Sequence, residues 1–334
     1  MRIVFVVAQP GNGGSERAAL NLVNYLASKG HDIHVVFLLK SDIEYPLSEN
    51  VHTHYIKQNS SRFMGEIVRA IDFKRMIKEI KPERIVALFS GFNTIYFSGC
   101  MNKYRTVLSE RMAPSVTLSN PIKRFHRTNI YRKASYMVFQ TEDAQSFFSI
   151  DIQKKSQIIG NPLNSNLPLP YHGVREKRIV GIGRLENQKN FRLLIEAFSI
   201  AHKIYPDYTL EIYGRGSLQT ALEQQIMDLG LSGAVKLKDF SKTIHQDIIK
   251  SAIYVSSSNF EGVSNAMLEA LAIGLPSICT DCPDGGARMY IKPYENGLLV
   301  PVNDTESLSN AIIELLSKPE LSEKFSSNSI KIND

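Results

Sequence analysis

At 334 residues, with 43% hydrophobic and 22% charged, the chain has room for two domains of ordinary globular composition, which excludes a disordered or fibrous protein. Three cysteines exclude a disulfide-stapled secreted scaffold and point to the reducing cytoplasm, and no apolar run reaches the ~20 residues of a membrane span. The net charge of +6 is uneven: residues 1–168 carry 22 Lys and Arg against 13 Asp and Glu, whereas residues 169–334 carry 17 against 20, so an anionic partner is expected on the first half.

The chain opens with a buried strand over 2–8, too short for a signal peptide and ended by Gln9, Pro10 and Gly11. The loop Gly11-Asn12-Gly13-Gly14-Ser15-Glu16-Arg17 leads into a helix over 15–29. Its glycines let backbone approach an anion at a helix start, but the spacing is neither G-x-G-x-x-G nor G-K-[ST], so a tight turn and a binding site both stay open. After a strand over 32–39, His52 and His54 fall on one strand face and are too small a set for a metal ion. Residues 62–81 set Arg69, Lys74, Arg75 and Lys78 among Ile67, Phe73, Met76 and Ile77, with a helix at about 65–80. Strand 84–89, helix 93–102 and strand 104–109 follow. Glu110 and Arg111, just past that strand, are either site residues or a structural loop pair. Residues 122–133 repeat the basic amphipathic pattern through Lys123, Arg124, Arg127, Arg132 and Lys133 with Phe125 and Tyr131, ahead of strand 135–139 and helix 142–149. Both basic stretches suit an anionic lipid surface, or solvated cations over an inward apolar stripe.

Pro162, Pro168, Pro170 and Gly173 break the periodicity, so residues 164–176 read as a linker between domains over 1–163 and 177–334. Strands at 177–184, 208–213, 234–238, 252–256 and 276–279 then alternate with helices at 190–203, 217–230, 244–251 and 264–274. Short apolar runs joined through helices mean parallel sheets covered on both faces, so each half is an α/β, Rossmann-like domain. Ligands are expected in a cleft at the C-terminal strand ends. In Gly181-Ile182-Gly183-Arg184-Leu185-Glu186-Asn187-Gln188-Lys189, two cations converge on a strand end and a helix start, which suits a diphosphate. Tyr213-Gly214-Arg215-Gly216 is a second glycine-rich strand-to-helix turn. In Glu261-Gly262-Val263-Ser264 a carboxylate precedes a helix start, and Glu269 lies about two turns on, near the same helix face. One carboxylate can meet a sugar ring and the other two ribose hydroxyls. Cys279 and Cys282 have C-x-x-C spacing, but Pro283 follows at once and no further ligands lie nearby, so they read as small residues at a strand end.

The stretches GIGRLENQKN, IYGRGSL, EGVSNAMLEALAIGLPSI and ENGLLVPVND, with GNGGSERAALNL, SERMAP at 109–114 and IGNPL at 159–163, resemble glycosyltransferase family 4 over nearly the whole chain. The resemblance implies the GT-B fold of two facing Rossmann-like domains. It implies a retaining transferase moving a hexose or N-acetylhexosamine from a nucleotide sugar, with UDP as the nucleotide, to a polyprenyl-diphosphate-linked glycan. That activity belongs to bacterial surface polysaccharide or glycan biosynthesis, in the cytoplasm or at the inner face of the plasma membrane. By this resemblance Arg184 and Lys189 hold the donor diphosphate, Glu261 meets the sugar, and the amides of Gly262, Val263 and Ser264 orient sugar and phosphate. Glu269 binds the ribose, Gly214 belongs to the donor site, and Gly13 and Gly14 let the first domain close over the pyrophosphate.

The chain contains no D-x-D, so neither a metal nor any other cofactor is expected, and fixed cations are expected to stabilise the leaving diphosphate. Many relatives have His where Arg111 stands, so no histidine base is assigned. They also continue with a helix crossing back onto the first domain, whereas this sequence stops at Asp334, so either a short brace or a truncated form is expected. The alternative activity is a GT-B nucleotide-sugar epimerase. The missing G-x-G-x-x-G disfavours a dinucleotide oxidoreductase, and the lack of a recognition motif disfavours a nucleic-acid partner.

Overall fold

The structure is a computed structural model that describes residues 1–10, 14–40, 46–57, 62–164 and 166–333. It divides into two compact units, Met1–Asn161 and Pro162–Asp334. The proline-rich stretch goes with the second unit. Leu163 and Leu167 pack on that unit's core. Arg175 donates to the carbonyls of Ser251 at 3.0 Å and Gly274 at 2.6 Å and to Ser326 Oγ at 2.9 Å.

The first unit holds strands β1 (Arg2–Val7), β2 (Asp32–Phe37), β3 (Val51–Tyr55), β4 (Arg84–Leu88), β5 (Arg105–Ser109), β6 (Tyr136–Phe139) and β7 (Ser156–Ile158). All pair in parallel in the order β3-β2-β1-β4-β5-β6-β7. Alternate residues feed two cores because successive side chains leave a strand on opposite faces. On β1, Val4 and Val6 enter one cluster, while Ile3, Phe5 and Val7 enter the other.

The second unit repeats the design with β8 (Glu176–Ile182), β9 (Thr209–Tyr213), β10 (Val235–Lys238), β11 (Ser251–Ser256), β12 (Ser277–Thr280) and β13 (Leu298–Val300), in the order β10-β9-β8-β11-β12-β13. Strand order reverses at β1/β4 and at β8/β11, and the crevice beyond the carboxyl ends at such a point is where open α/β sheets bind ligands.

Several elements differ from the sequence expectation. The helix expected at 93–102 is Phe92–Phe97 followed by a 3-10 turn at Cys100–Asn102, because Gly99 takes a left-handed conformation with φ 73°. The helix expected at 264–274 is Asn265–Ala272, with Glu261 ahead of it as expected. β3, β7 and β13 and the helices Thr305–Ser317 and Pro319–Ser329 add to the expected set. In the helix Arg62–Ile80, Phe73, Ile77 and Ile80 are buried, whereas Ile67 and Ile71 are exposed along with Lys74 and Lys78, so only part of the apolar set faces inward.

Candidate active site

In the second unit, β8 and β11 deliver two loops that are stitched together. Asn259 N donates to the Gln188 carbonyl at 2.8 Å and Asn259 Nδ2 to the Asn187 carbonyl at 2.8 Å. Ser257 Oγ donates to the Lys189 carbonyl at 2.9 Å, and Gln188 Nε2 to the Phe260 carbonyl at 3.2 Å. This lacing brings two residues 72 positions apart in sequence into an ion pair. Lys189 Nζ lies 2.6 Å from Glu261 Oε1, with side chains 15% and 14% exposed. Ser258 Oγ donates to the same oxygen at 3.0 Å. Arg184, exposed at the end of β8, donates to Gln188 Oε1 at 3.0 Å and is thereby tied to the same lacing.

The glycines keep this place open for backbone. Lys189 lies across Gly183, where a Cβ would stand 2.7 Å from Lys189 Cε. A Cβ on Gly214 would overlap the Gly183 carbonyl, at a φ of +154° that side chains rarely adopt. The turn after β9 is locked to the turn after β8: Leu185 N donates to the Arg215 carbonyl at 2.9 Å, and Ser217 N to Glu186 Oε1 at 2.9 Å.

Gly262, Val263 and Ser264 lead into the helix Asn265–Ala272, with Ser264 as its N-cap accepting from Met267 N at 3.4 Å. The first amides of a helix have no partner within it, so this entry is a place for anionic groups. A Cβ on Gly286 would overlap the Gly262 carbonyl, so the Asp284-Gly285-Gly286 turn braces the segment from behind. That glycine pair is a signal readable in the sequence itself.

Glu269 is on the helix, and its Oε2 pairs with His245 Nε2 at 2.9 Å, both side chains being largely buried. His245 comes from a separate helix, Ile244–Ile248, and no spacing in the sequence marks it. Glu261 precedes the helix and Glu269 is on it, and each has its own basic partner. Cys279 and Cys282 are free and buried, and burial pushes both thiols up, that of Cys282 to about 12, so neither is a thiolate.

In the first unit, Gly13 lies outside the described residues and Gly14 opens the helix Gly14–Ser28. Glu110 is 3% exposed. Its Oε1 accepts from the amides of Arg111 at 3.1 Å and Met112 at 3.2 Å, and its Oε2 from Tyr131 Oη at 2.5 Å. Arg127 Nη1 lies 3.6 Å from Oε2. Arg111 Nη1 donates to Asn161 Oδ1, which also accepts from Gln140 Nε2 at 2.5 Å, and burial lowers the guanidinium pKa.

Beyond β4 and β5 a cavity of about 390 Å³ is lined by Asn93, Glu110, Lys123, His126 and Arg127 with Phe89. On the helix Pro121–Lys133 beside it, Ile122 and Phe125 are 79% and 68% exposed, next to exposed Lys123 and Arg124. Among the described residues no helix is long and apolar enough to cross a membrane.

The description "Glycosyl transferases group 1" fits residues 172–332, and "Glycosyl transferase 4-like" fits residues 13–141. The chain is 27% identical to the N-acetylgalactosamine-N,N'-diacetylbacillosaminyl-diphospho-undecaprenol 4-alpha-N-acetylgalactosaminyltransferase of Campylobacter jejuni, over 94% of this chain and 90% of that one. It is 22% identical to the amylovoran biosynthesis glycosyltransferase AmsD of Erwinia amylovora, over 97% and 92%. Among solved structures, HepE of Anabaena in complex with UDP and glucose matches with a TM-score of 0.83 at 18% identity, covering 99% of this chain and 94% of that one. Sucrose-phosphate synthase of Thermosynechococcus elongatus matches at 0.85 with 16% identity, covering 99% and 93%.

Proposed function

The chain belongs to the group 1 glycosyltransferases, with the GT-B fold, and we propose that it moves a sugar from UDP to a lipid-linked glycan with retention of the anomeric configuration. The observation that carries this reading is the Lys189–Glu261 ion pair, held at the β8/β11 reversal by laced loops and bare glycine backbone.

Cleaving the bond between the anomeric carbon and the diphosphate oxygen leaves positive charge on the sugar ring and negative charge on the diphosphate. Lys189, Arg184 and the amides of Gly262–Ser264 are fixed dipoles and charges of the sign the leaving group needs, so little reorganisation is required. As the β-phosphate arrives it competes with Glu261 for Lys189, and Glu261 turns to a sugar hydroxyl. Glu269, oriented by His245, takes the two ribose hydroxyls. The acceptor hydroxyl attacks from the side the diphosphate leaves. Its oxygen forms the new bond to the anomeric carbon, and its proton passes to the departing phosphate oxygen. Fixed cations fill the role a metal would play, so transfer should persist with a chelator present.

The cavity beyond β4 and β5, with Lys123, His126 and Arg127 on its wall, is the acceptor's place in this reading. The exposed Ile122 and Phe125 beside Lys123 and Arg124 rest on the anionic inner face of the plasma membrane, where each basic residue adds ~1 kcal/mol. The relative from Campylobacter jejuni carries a diphospho-undecaprenol acceptor in its name, which supports a lipid-linked acceptor here.

Thermal shift against nucleoside diphosphates tests the donor side: UDP should raise Tm, and a chain indifferent to every nucleotide would sink the reading. Transfer from UDP-sugars to a polyprenyl-diphosphate glycan, with the product's anomeric configuration read by NMR, tests the rest. Conversion of the donor sugar with no acceptor present would mark an epimerase instead.

A further inference from the structure

At the other ends of the first unit's strands, away from the loops of the proposed chemistry, β2 and β3 bring Asp32, His34, His52 and His54 together. Asp32 and His34 are two apart on β2, so they share a face. His52 and His54 are two apart on β3, and His34 stands directly across from His52 in register. Asp32 Oδ2 takes Arg2 Nε at 2.6 Å, which fixes the carboxylate and leaves Oδ1 toward the imidazoles. His34 Nε2 lies 3.2 Å from Oδ1 and His52 Nε2 lies 3.7 Å from it. All three donor atoms fall within 4.8 Å of one another.

We propose that Asp32, His34 and His52 form a binding site for a divalent cation of the zinc class. Ligands of tetrahedral zinc, at bonds of ~2.0–2.1 Å, stand roughly 3.3 Å apart, so the separations need only small adjustment. His52 is the residue that must move, and at 60% exposure it is free to do so. Two imidazoles and one carboxylate suit zinc, with water completing the sphere.

The second layer is present as well. A metal on His34 Nε2 requires the ring proton on Nδ1, and that nitrogen lies 2.9 Å from His54 Nε2, which accepts it. His54, which looked from the sequence like half of an insufficient ligand set, is the supporting partner; Asp32 and His34 supply what the His52-Thr-His54 segment lacks. β3 is the edge strand of its sheet, and with only Val51 of its five residues buried it has little apolar anchorage. The cation would therefore pin that edge to β2. The proposal does not depend on the transfer reaction.

The test uses the tag-free full chain after chelator treatment and desalting. Co²⁺ titration should give the visible absorption of a tetrahedral site at one equivalent. Zn²⁺ at a hundredfold excess over Kd should raise Tm by about 5 °C or more. His52→Ala and Asp32→Asn should each weaken binding at least about tenfold, and His54→Ala should also weaken it, with the metal-free Tm of His52→Ala close to that of the parent because the side chain is exposed. Absence of both the cobalt spectrum and the Tm rise in the parent chain overturns the proposal. So does unchanged affinity in His52→Ala.

Discussion

Glu110 and Glu261 stand in comparable places, each beyond the carboxyl end of a central strand, yet their surroundings differ, and in the proposed reading that gives them opposite jobs. Glu110 is 3% exposed and its two oxygens are taken by two amides, the Tyr131 phenol and Arg127. Burial and the adjoining carboxylate hold the Tyr131 phenol well above its ordinary pKa, so it remains a donor. The Glu261 side chain is 14% exposed and its Oε1 is shared by Lys189 and Ser258, the lysine being the group that an incoming phosphate claims in the proposed reading. The contrast teaches that a carboxylate at a strand end becomes a scaffold when its acceptors are spent inside the fold. It becomes a working group when its partner is exchangeable.

The contrast can be broken most forcefully at Lys189. Lys189→Ala should lower turnover about 10²- to 10³-fold, the usual loss for one fixed stabiliser of developing charge, with a small change in Tm. Near-parental turnover would place the diphosphate elsewhere. Glu110→Ala should instead act on stability, costing about 3 kcal/mol in a urea titration because a buried phenol, two amides and a cation lose their acceptor. A loss below about 1 kcal/mol would put Glu110 in the exchangeable class with Glu261.

Gly214→Ala sharpens the picture from the backbone side. The overlap with the Gly183 carbonyl should cost about 2 kcal/mol and weaken nucleotide binding together with Tm. A smaller effect is expected of His245→Ala, which frees Glu269. UDP affinity should fall roughly tenfold by calorimetry with turnover at saturation largely kept, as for a lost hydrogen bond to a charged group. The smallest concerns Cys279 and Cys282: both thiols should resist a disulfide-exchange reagent at pH 8, and reductant should change neither turnover nor Tm.

Much of the fold was legible because buried parallel strands are nearly continuous apolar runs. RIVFVV and SAIYVS announce themselves, whereas VHTHY and SQI do not, since edge strands face water and carry polar residues. Arg184, Lys189, Glu261 and Glu269 were legible from local spacing around glycines and a helix start. Their partners were not: His245 meets Glu269 only through tertiary packing, and the Asp32–His34–His52 group needs the register of two strands. Periodicity reports which face a residue occupies, and it is silent on what the next element sets against that face.

The apposition of bare backbone at Gly183, Gly214, Gly262 and Gly286 bears on how such an enzyme can be diversified. At Gly214 and Gly286 there is no room for a single methyl group, so these two positions offer no handle to directed evolution, and libraries that randomise them will be filled with misfolded clones. In the reading proposed above, new acceptor specificity has to be sought where side chains already line open volume, around Asn93, Lys123 and His126.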